Sequence, residues 1–161
     1  MINLTILVWY IYKGLQTKGF MKLTTKGRYA VMALADLARF NNEQPVSLRD
    51  ISLRQGISLL YLEQIFSKLK RNNIVKSIRG VNGGYILTKN PTEIKLANIF
   101  SAVDEELKTV QCKKDSKKSC NGKSAKCITH NLWDELEVHI QHFFNRKNLG
   151  DLIKGKNENR F

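Results

Sequence analysis

Between Thr24 and Phe40 the apolar positions fall into a helical rhythm. Ala30, Val31, Leu34, Leu37 and Ala38 recur at i, i+1, i+4, i+7 and i+8, which places them on one face of a helix. Thr24 or Thr25 can supply its N-terminal cap. After a loop that contains Pro45, Ser47 and Asp50 have capping-box spacing, and Leu48, Ile51 and Leu53 predict a short helix ending near Gln55. Gly56 stops it, since glycine takes left-handed backbone angles at little cost. Ser58 can cap a third helix that runs to about Asn72, with Leu62, Ile65, Phe66 and Leu69 as its buried stripe. A helix, a glycine-containing turn and a capped helix form a helix-turn-helix layout.

The period then shortens to two. The runs VKSIR (from Val75) and YILT (from Tyr85) flank GVNGG, which predicts a β-hairpin. Directly after a helix-turn-helix, such a hairpin reads as a wing. Pro91 closes this unit. A short helix from Leu96 to Val103 follows, with Leu96, Ile99, Phe100 and Val103 inward. Beyond His130, Leu132, Leu136, Ile140 and Phe143 recur at i, i+4, i+8 and i+11, with Trp133 and Phe144 alongside. That is more apolar surface than one small domain needs, so this segment reads as a dimerisation helix with a self-complementary two-fold contact. His139 and His142 on it read as structural. The expected fold is mainly α with a small β-wing: a winged helix-turn-helix domain plus a C-terminal dimerisation helix. Its parts are an N-terminal extension (1–20), a winged domain (21–92), a connecting helix (93–107), a cysteine-rich loop (108–130), the dimerisation helix (131–147) and a C-terminal tail (148–161), polar after Ile153.

The apolar run from Ile2 to Tyr12 is too short to span a bilayer and lacks the basic start and cleavage pattern of a signal peptide. Residues 1–20 therefore read as an upstream extension, with Met21 the working start, and no membrane partner is expected.

Charge narrows the function. Lys plus Arg number 27 against 14 Asp plus Glu, a formal net charge of +13. A chain that basic points to a polyanionic partner, although a merely solvated basic surface has the same composition. Residues 58–90 hold Lys68, Lys70, Arg71, Lys76, Arg79 and Lys89 against the single acid Glu63, which is the footprint a double-stranded DNA face requires. On the third helix Leu60, Tyr61, Glu63, Gln64, Ser67, Lys68 and Arg71 lie off the buried stripe. Gln64 can pair with adenine and Glu63 can accept from cytosine N4, while Glu63 can equally complement the helix dipole. Lys26 and Arg28 occupy the first turn of the first helix, where cations oppose the dipole unless a phosphate lies nearby. Arg79 stands at the base of the wing, and glycines such as Gly83 let its backbone lie close to a minor groove.

All three cysteines lie in one stretch, with His130 completing the pattern C-x7-C-x6-C-x2-H at Cys112, Cys120, Cys127 and His130. An odd cysteine count without a secretory signal argues for a reducing, cytoplasmic setting and for metal or redox chemistry. Soft thiolates and imidazole suit zinc or iron–sulfur iron. The wide spacing fits a loop over a two-iron cluster and also fits a three-cysteine, one-histidine zinc finger, so spacing does not decide. Residues 108–130 carry seven lysines against Asp115, which would stabilise either anionic site and would repel one another without a metal. A metal-free, thiol-based redox sensor is the third reading. A Cys127–His130 nucleophile pair has no oxyanion feature or substrate pocket beside it, so no enzyme is expected.

Four motifs carry a resemblance: MKLTTKGRYA from Met21, ISLLYLEQIF from Ile57, RGVNGGY from Arg79 and SAVDE from Ser101. In content and order they resemble the IscR, or iron–sulfur cluster regulator, family of bacterial winged-helix transcription factors, over about Met21 to Ile153. The resemblance implies a homodimer that binds double-stranded DNA and takes a [2Fe–2S] cluster from the iron–sulfur assembly machinery. It also implies control of iron–sulfur assembly genes. It makes Cys112, Cys120, Cys127 and His130 the cluster ligands, Glu63 a residue that distinguishes two classes of DNA site, and Arg79 the wing contact. The chain departs from the family pattern in its longer gaps between cysteines, in Leu60 where the family often has a polar residue, in Val81-Asn82 at the wing tip, and in its first twenty residues, which have no counterpart in that pattern.

Overall fold

Helix α1 (Thr25–Phe40) packs against most of the other elements. The computed structural model describes residues 24–40, 44–107 and 128–154; the N-terminal extension, the proposed start at Met21 and all three cysteines lie outside the described residues. After α1 come α2 (Leu48–Gln55), α3 (Leu59–Arg71), strands β1 (Val75–Ile78) and β2 (Gly84–Leu87), and a single 3-10 turn (Pro91–Glu93). Then follow α4 (Leu96–Ala102), α5 (His130–Arg146) and α6 (Leu149–Lys154). The strands form one antiparallel hairpin with Val75 opposite Leu87 and Ile78 opposite Gly84. This is the predicted mainly helical fold with a small wing.

One apolar core runs through these elements. Leu34 and Leu37 of α1, Ile51 of α2, Leu62, Phe66 and Leu69 of α3 and Ile99 of α4 are fully buried in it. The stripe expected on α3 is the one observed. On α1 the buried face is Gly27, Ala30, Ala33, Leu34, Asp36 and Leu37, whereas Val31 and Ala38 are only half-buried. Leu53 on α2 is 76% exposed, contrary to the apolar pattern. Only Leu48 and Ile51 anchor that eight-residue helix. The boundary expected after residue 92 does not divide the core, since Leu96, Ile99, Phe100 and Val103 belong to it. Nor is the segment from 148 simply a tail. Asn148 bridges to Lys95, Leu149 is fully buried, and α6 packs on α1.

The turn between α2 and α3 is built from local chemistry. Ser47 Oγ accepts the Asp50 amide at 3.1 Å and starts α2. Gly56 ends it at φ 64°, a left-handed angle that strains other residues. Ser58 flanks α3 but makes no side-chain capping bond.

A buried charge fixes α2 against α1. The Asp36 side chain is 1% exposed. Arg54 donates to it from Nε to both carboxylate oxygens at 3.1 Å and from Nη2 at 2.6 Å, and Gln55 Nε2 adds a bond of 2.5 Å. The Arg54 guanidinium also lies 4.3 Å from the centre of the Phe40 ring. Hydrogen bonding to Asp36 holds the Arg54 pKa above its ordinary value, so the guanidinium stays charged. Replacing one partner of such a pair leaves an uncompensated buried charge. Arg54→Met is expected to cost about 3 kcal/mol in urea unfolding, and adding Asp36→Asn to it should recover part of that loss.

Candidate nucleic-acid interface

Helix α3 presents the predicted reading face. With its apolar stripe turned inward, Leu60, Gln64, Ser67 and Arg71 follow at i, i+4, i+7 and i+11 on the opposite side, and all four are exposed. Glu63 is exposed beside them. The first turn of α3 contains no acid, because the helix starts at Leu59 and Glu63 lies beyond that turn. The dipole role for Glu63 is thereby weakened, since that effect fades within one turn. Among the described residues Glu63 has no ion pair, so its carboxylate is available to accept from a base edge. Tyr61 is half-buried and meets Tyr29 of α1 edge-on, with ring centres 5.9 Å apart. That contact sets the rotation of α3 about its axis.

Three contacts place the wing. Phe66 of α3 meets Tyr85 of β2 edge-on at 4.9 Å. Lys70 Nζ donates to Ser77 Oγ of β1 at 2.8 Å. Val46, just before α2, exchanges backbone hydrogen bonds with Tyr85 at 3.0 and 2.8 Å. Arg79 and Lys76 are exposed on the hairpin. Gly83 is sterically required, since a Cβ there would lie 2.6 Å from the Ile78 carbonyl oxygen.

Not every predicted cation is available. Lys68 Nζ donates to Asp104 Oδ2 at 2.6 Å, and Lys26 Nζ donates to the Asp104 carbonyl at 2.8 Å. Next to it Glu105 is buried and accepts from the Thr24 amide at 2.8 Å and from the Thr24 hydroxyl. Thr24, expected as a capping side chain, therefore points its hydroxyl at Glu105. The α4 exit thus ties together the starts of α1 and the middle of α3. Arg28 is exposed, as are Arg71 and Lys70. Sequence reasoning missed the role of Asp104. Its signal was the acidic run DEE (from Asp104) in a strongly basic chain.

Of the proposed metal ligands only His130 is described. It begins α5 and is buried, and its Nε2 lies 3.3 Å from an Asp134 carboxylate oxygen without forming a hydrogen bond. Among the described residues no group of three or more His, Cys, Asp or Glu converges as a metal site. His139 and His142, expected to be structural, are both exposed on α5. No helix among the described residues is long and apolar enough to cross a membrane.

Two measurements test this interface. The hydrogen bond from Lys68 holds the Asp104 carboxyl below its ordinary value of 3.8, with the charge of Lys68 as the next cause. A lowered folded-state pKa gives stability that is complete above the ordinary value and is lost as pH falls through the lowered one. The stability difference between wild type and Asp104→Asn should therefore shrink as urea unfolding is followed down from pH 5 to pH 2. In duplex DNA titrations, Asp104→Asn should free Lys68 and steepen the plot of log affinity against log salt by about one unit, whereas Arg79→Ala should flatten it by about one.

Comparisons with known proteins agree with this arrangement. The family described as Rrf2, iron-dependent transcriptional regulator, matches residues 23–155. The HTH-type transcriptional regulator IscR of Pectobacterium atrosepticum is 48% identical over 136 residues, covering 84% of this chain and 81% of its own. The protein of the same name from Escherichia coli O1:K1 is 46% identical, covering 84% and 82%. Among solved structures, T. potens IscR superposes with a TM-score of 0.69 at 35% identity, covering 87% of this chain and 91% of its own. CymR, the global cysteine regulator of B. subtilis, gives a TM-score of 0.71 at 30% identity, with coverages of 84% and 98%. With its helix-turn-helix, wing and outward basic face, the chain belongs to the Rrf2 family of iron-dependent, DNA-binding transcriptional regulators.

Proposed function

We propose that this regulator acts in the cytoplasm as a homodimer that senses iron–sulfur status through a [2Fe–2S] cluster and controls iron–sulfur assembly genes. Cys112, Cys120, Cys127 and His130 would hold the cluster, delivered by the assembly machinery. The observation that carries this reading is His130: a buried imidazole whose Nε2, 3.3 Å from an Asp134 carboxylate oxygen, makes no hydrogen bond among the described residues, in a stretch whose other soft donors are three cysteines. A buried polar atom left without a hydrogen bond is costly, and coordination to a metal would remove that cost. Three thiolates and a neutral imidazole give an oxidised [2Fe–2S] core a net charge of about −1, which the seven lysines of residues 108–130 would offset. When bound, the cluster supplies one-electron redox chemistry and a lability that depends on oxygen and iron supply. The chain's own part is to hold it and to couple its presence to the DNA-reading face.

The dimer reading rests on α5. Leu132 is 57% exposed, Phe143 55% and Val138 54%, while Phe144 turns inward and meets Phe100 at 4.7 Å. One side of the helix is thus anchored in the core, and the other offers apolar surface to a second copy.

Anaerobic purification should give a brown protein with charge-transfer absorption and about two iron and two sulfide per chain. A colourless protein carrying one zinc would instead support a zinc-stabilised module, and metal-free protein with oxidant-dependent DNA binding would support a thiol sensor. His130→Cys should retain the cluster and lose it more slowly in air, because thiolate binds iron more strongly than imidazole. Bleaching at the wild-type rate or faster contradicts that assignment of His130.

A further inference from the structure

The outward stripe of α3 is polar except at its head. Leu60 occupies the second position of the helix, on the side away from the core, and is 66% exposed. It lies on the rim of a shallow, open concavity of about 480 Å³ that it shares with Thr25, Tyr29, Ser58, Tyr61 and Gln64. Among the described residues nothing in the chain covers Leu60, while its neighbour Leu62 is fully buried. An isolated exposed leucine on an ordinary surface needs no explanation. This one stands at the N-terminal end of a recognition helix, the part that meets base edges.

The major groove presents a single apolar group on its unmodified bases, the C5-methyl of thymine. We propose that Leu60 is a specificity-determining residue that packs on a thymine methyl in the bound site, next to an adenine read by Gln64. This deepens the DNA-binding reading of α3 and rests on it. Leu60 and Gln64 are four residues apart on one face, a rise of about 6 Å. Base pairs are stacked about 3.4 Å apart. The thymine and the adenine therefore lie within about two base pairs of each other. The same geometry makes Leu60 a poor neighbour for guanine and cytosine edges, whose donors and acceptors it would cover without pairing.

The test uses the full chain, isolated anaerobically and again after chelator treatment. Binding sites are selected from randomised duplexes, and each thymine of the selected site is then replaced singly by uracil, which removes only the methyl. One position should lose about fourfold in affinity, as expected for one methyl-sized group returned to water. Leu60→Ala should bind the thymine and uracil duplexes alike at that position. Equal affinity of wild type for every uracil-substituted duplex overturns the proposal while leaving DNA binding by α3 intact. So does undiminished methyl sensitivity in Leu60→Ala. Failure of either form to enrich any site overturns the DNA-reading role of α3 itself, and the proposal with it. The uracil series on wild type needs no variant to fold.

Discussion

A carboxylate taken out of water must be paired, and in this chain the requirement falls on Asp36 in the middle of α1. Its partners, Arg54 and Gln55, both sit on the last turn of α2. The pair therefore fixes α2 on α1 at the end that leads into the Gly56 turn, and that turn launches α3. Apolar packing alone would hold α2 weakly, since Leu48 and Ile51 are its buried residues. The buried Asp36 carboxylate adds directional hydrogen bonds from Arg54 and Gln55 to those two apolar anchors. Helix α3 is then seated by its own packing on α1, through its inward stripe and the Tyr29–Tyr61 contact, which leaves Leu60, Gln64, Ser67 and Arg71 outward as the proposed DNA face.

A second charge arrangement works on the surface. Asp104 engages Lys26 and Lys68, and Glu105 engages the backbone and hydroxyl of Thr24. A Cβ on Gly27 would lie 3.0 Å from both Glu105 and Phe100, so α1 approaches this junction as closely as a glycine permits. In a chain of net charge +13, Asp104 alone at the exit of α4 engages two lysines, Lys68 through its carboxylate and Lys26 through its backbone carbonyl. The residues that follow in sequence are those of the lysine- and cysteine-rich stretch. The DNA-binding unit and the proposed cluster loop thus meet, in sequence, at Asp104 and Glu105, which are bonded to α3, to Lys26 of α1 and to Thr24 just before it.

The parts of the fold with strong periodicity were legible in the sequence. The Leu62, Ile65, Phe66, Leu69 stripe, the Ser47–Asp50 cap, the Gly56 turn and the hairpin all follow from local rules that act within a few residues. What escaped depends on partners distant in sequence. Asp36 looks like a solvated residue until Arg54 is seen 18 positions away. Leu53 continues an apolar pattern yet faces solvent, because an eight-residue helix has room for only a narrow buried stripe. Leu149 is surrounded by polar neighbours in sequence, and its burial comes from docking against the 3-10 turn and α1. Within the candidate site, the exposed residues of α3 could be named from helical geometry. That Lys26 and Lys68 are occupied could not, because Asp104 lies 78 and 36 residues from them.

We propose that α3 and the wing together form the surface that reads DNA, with α5 left for association. Hydrogen–deuterium exchange of the full chain with and without a selected duplex tests it most directly. Protection on DNA binding should concentrate in residues 58–67 and 79–84, with α5 unchanged. Protection confined to α5, or spread evenly over all basic segments with none at the start of α3, would contradict the account.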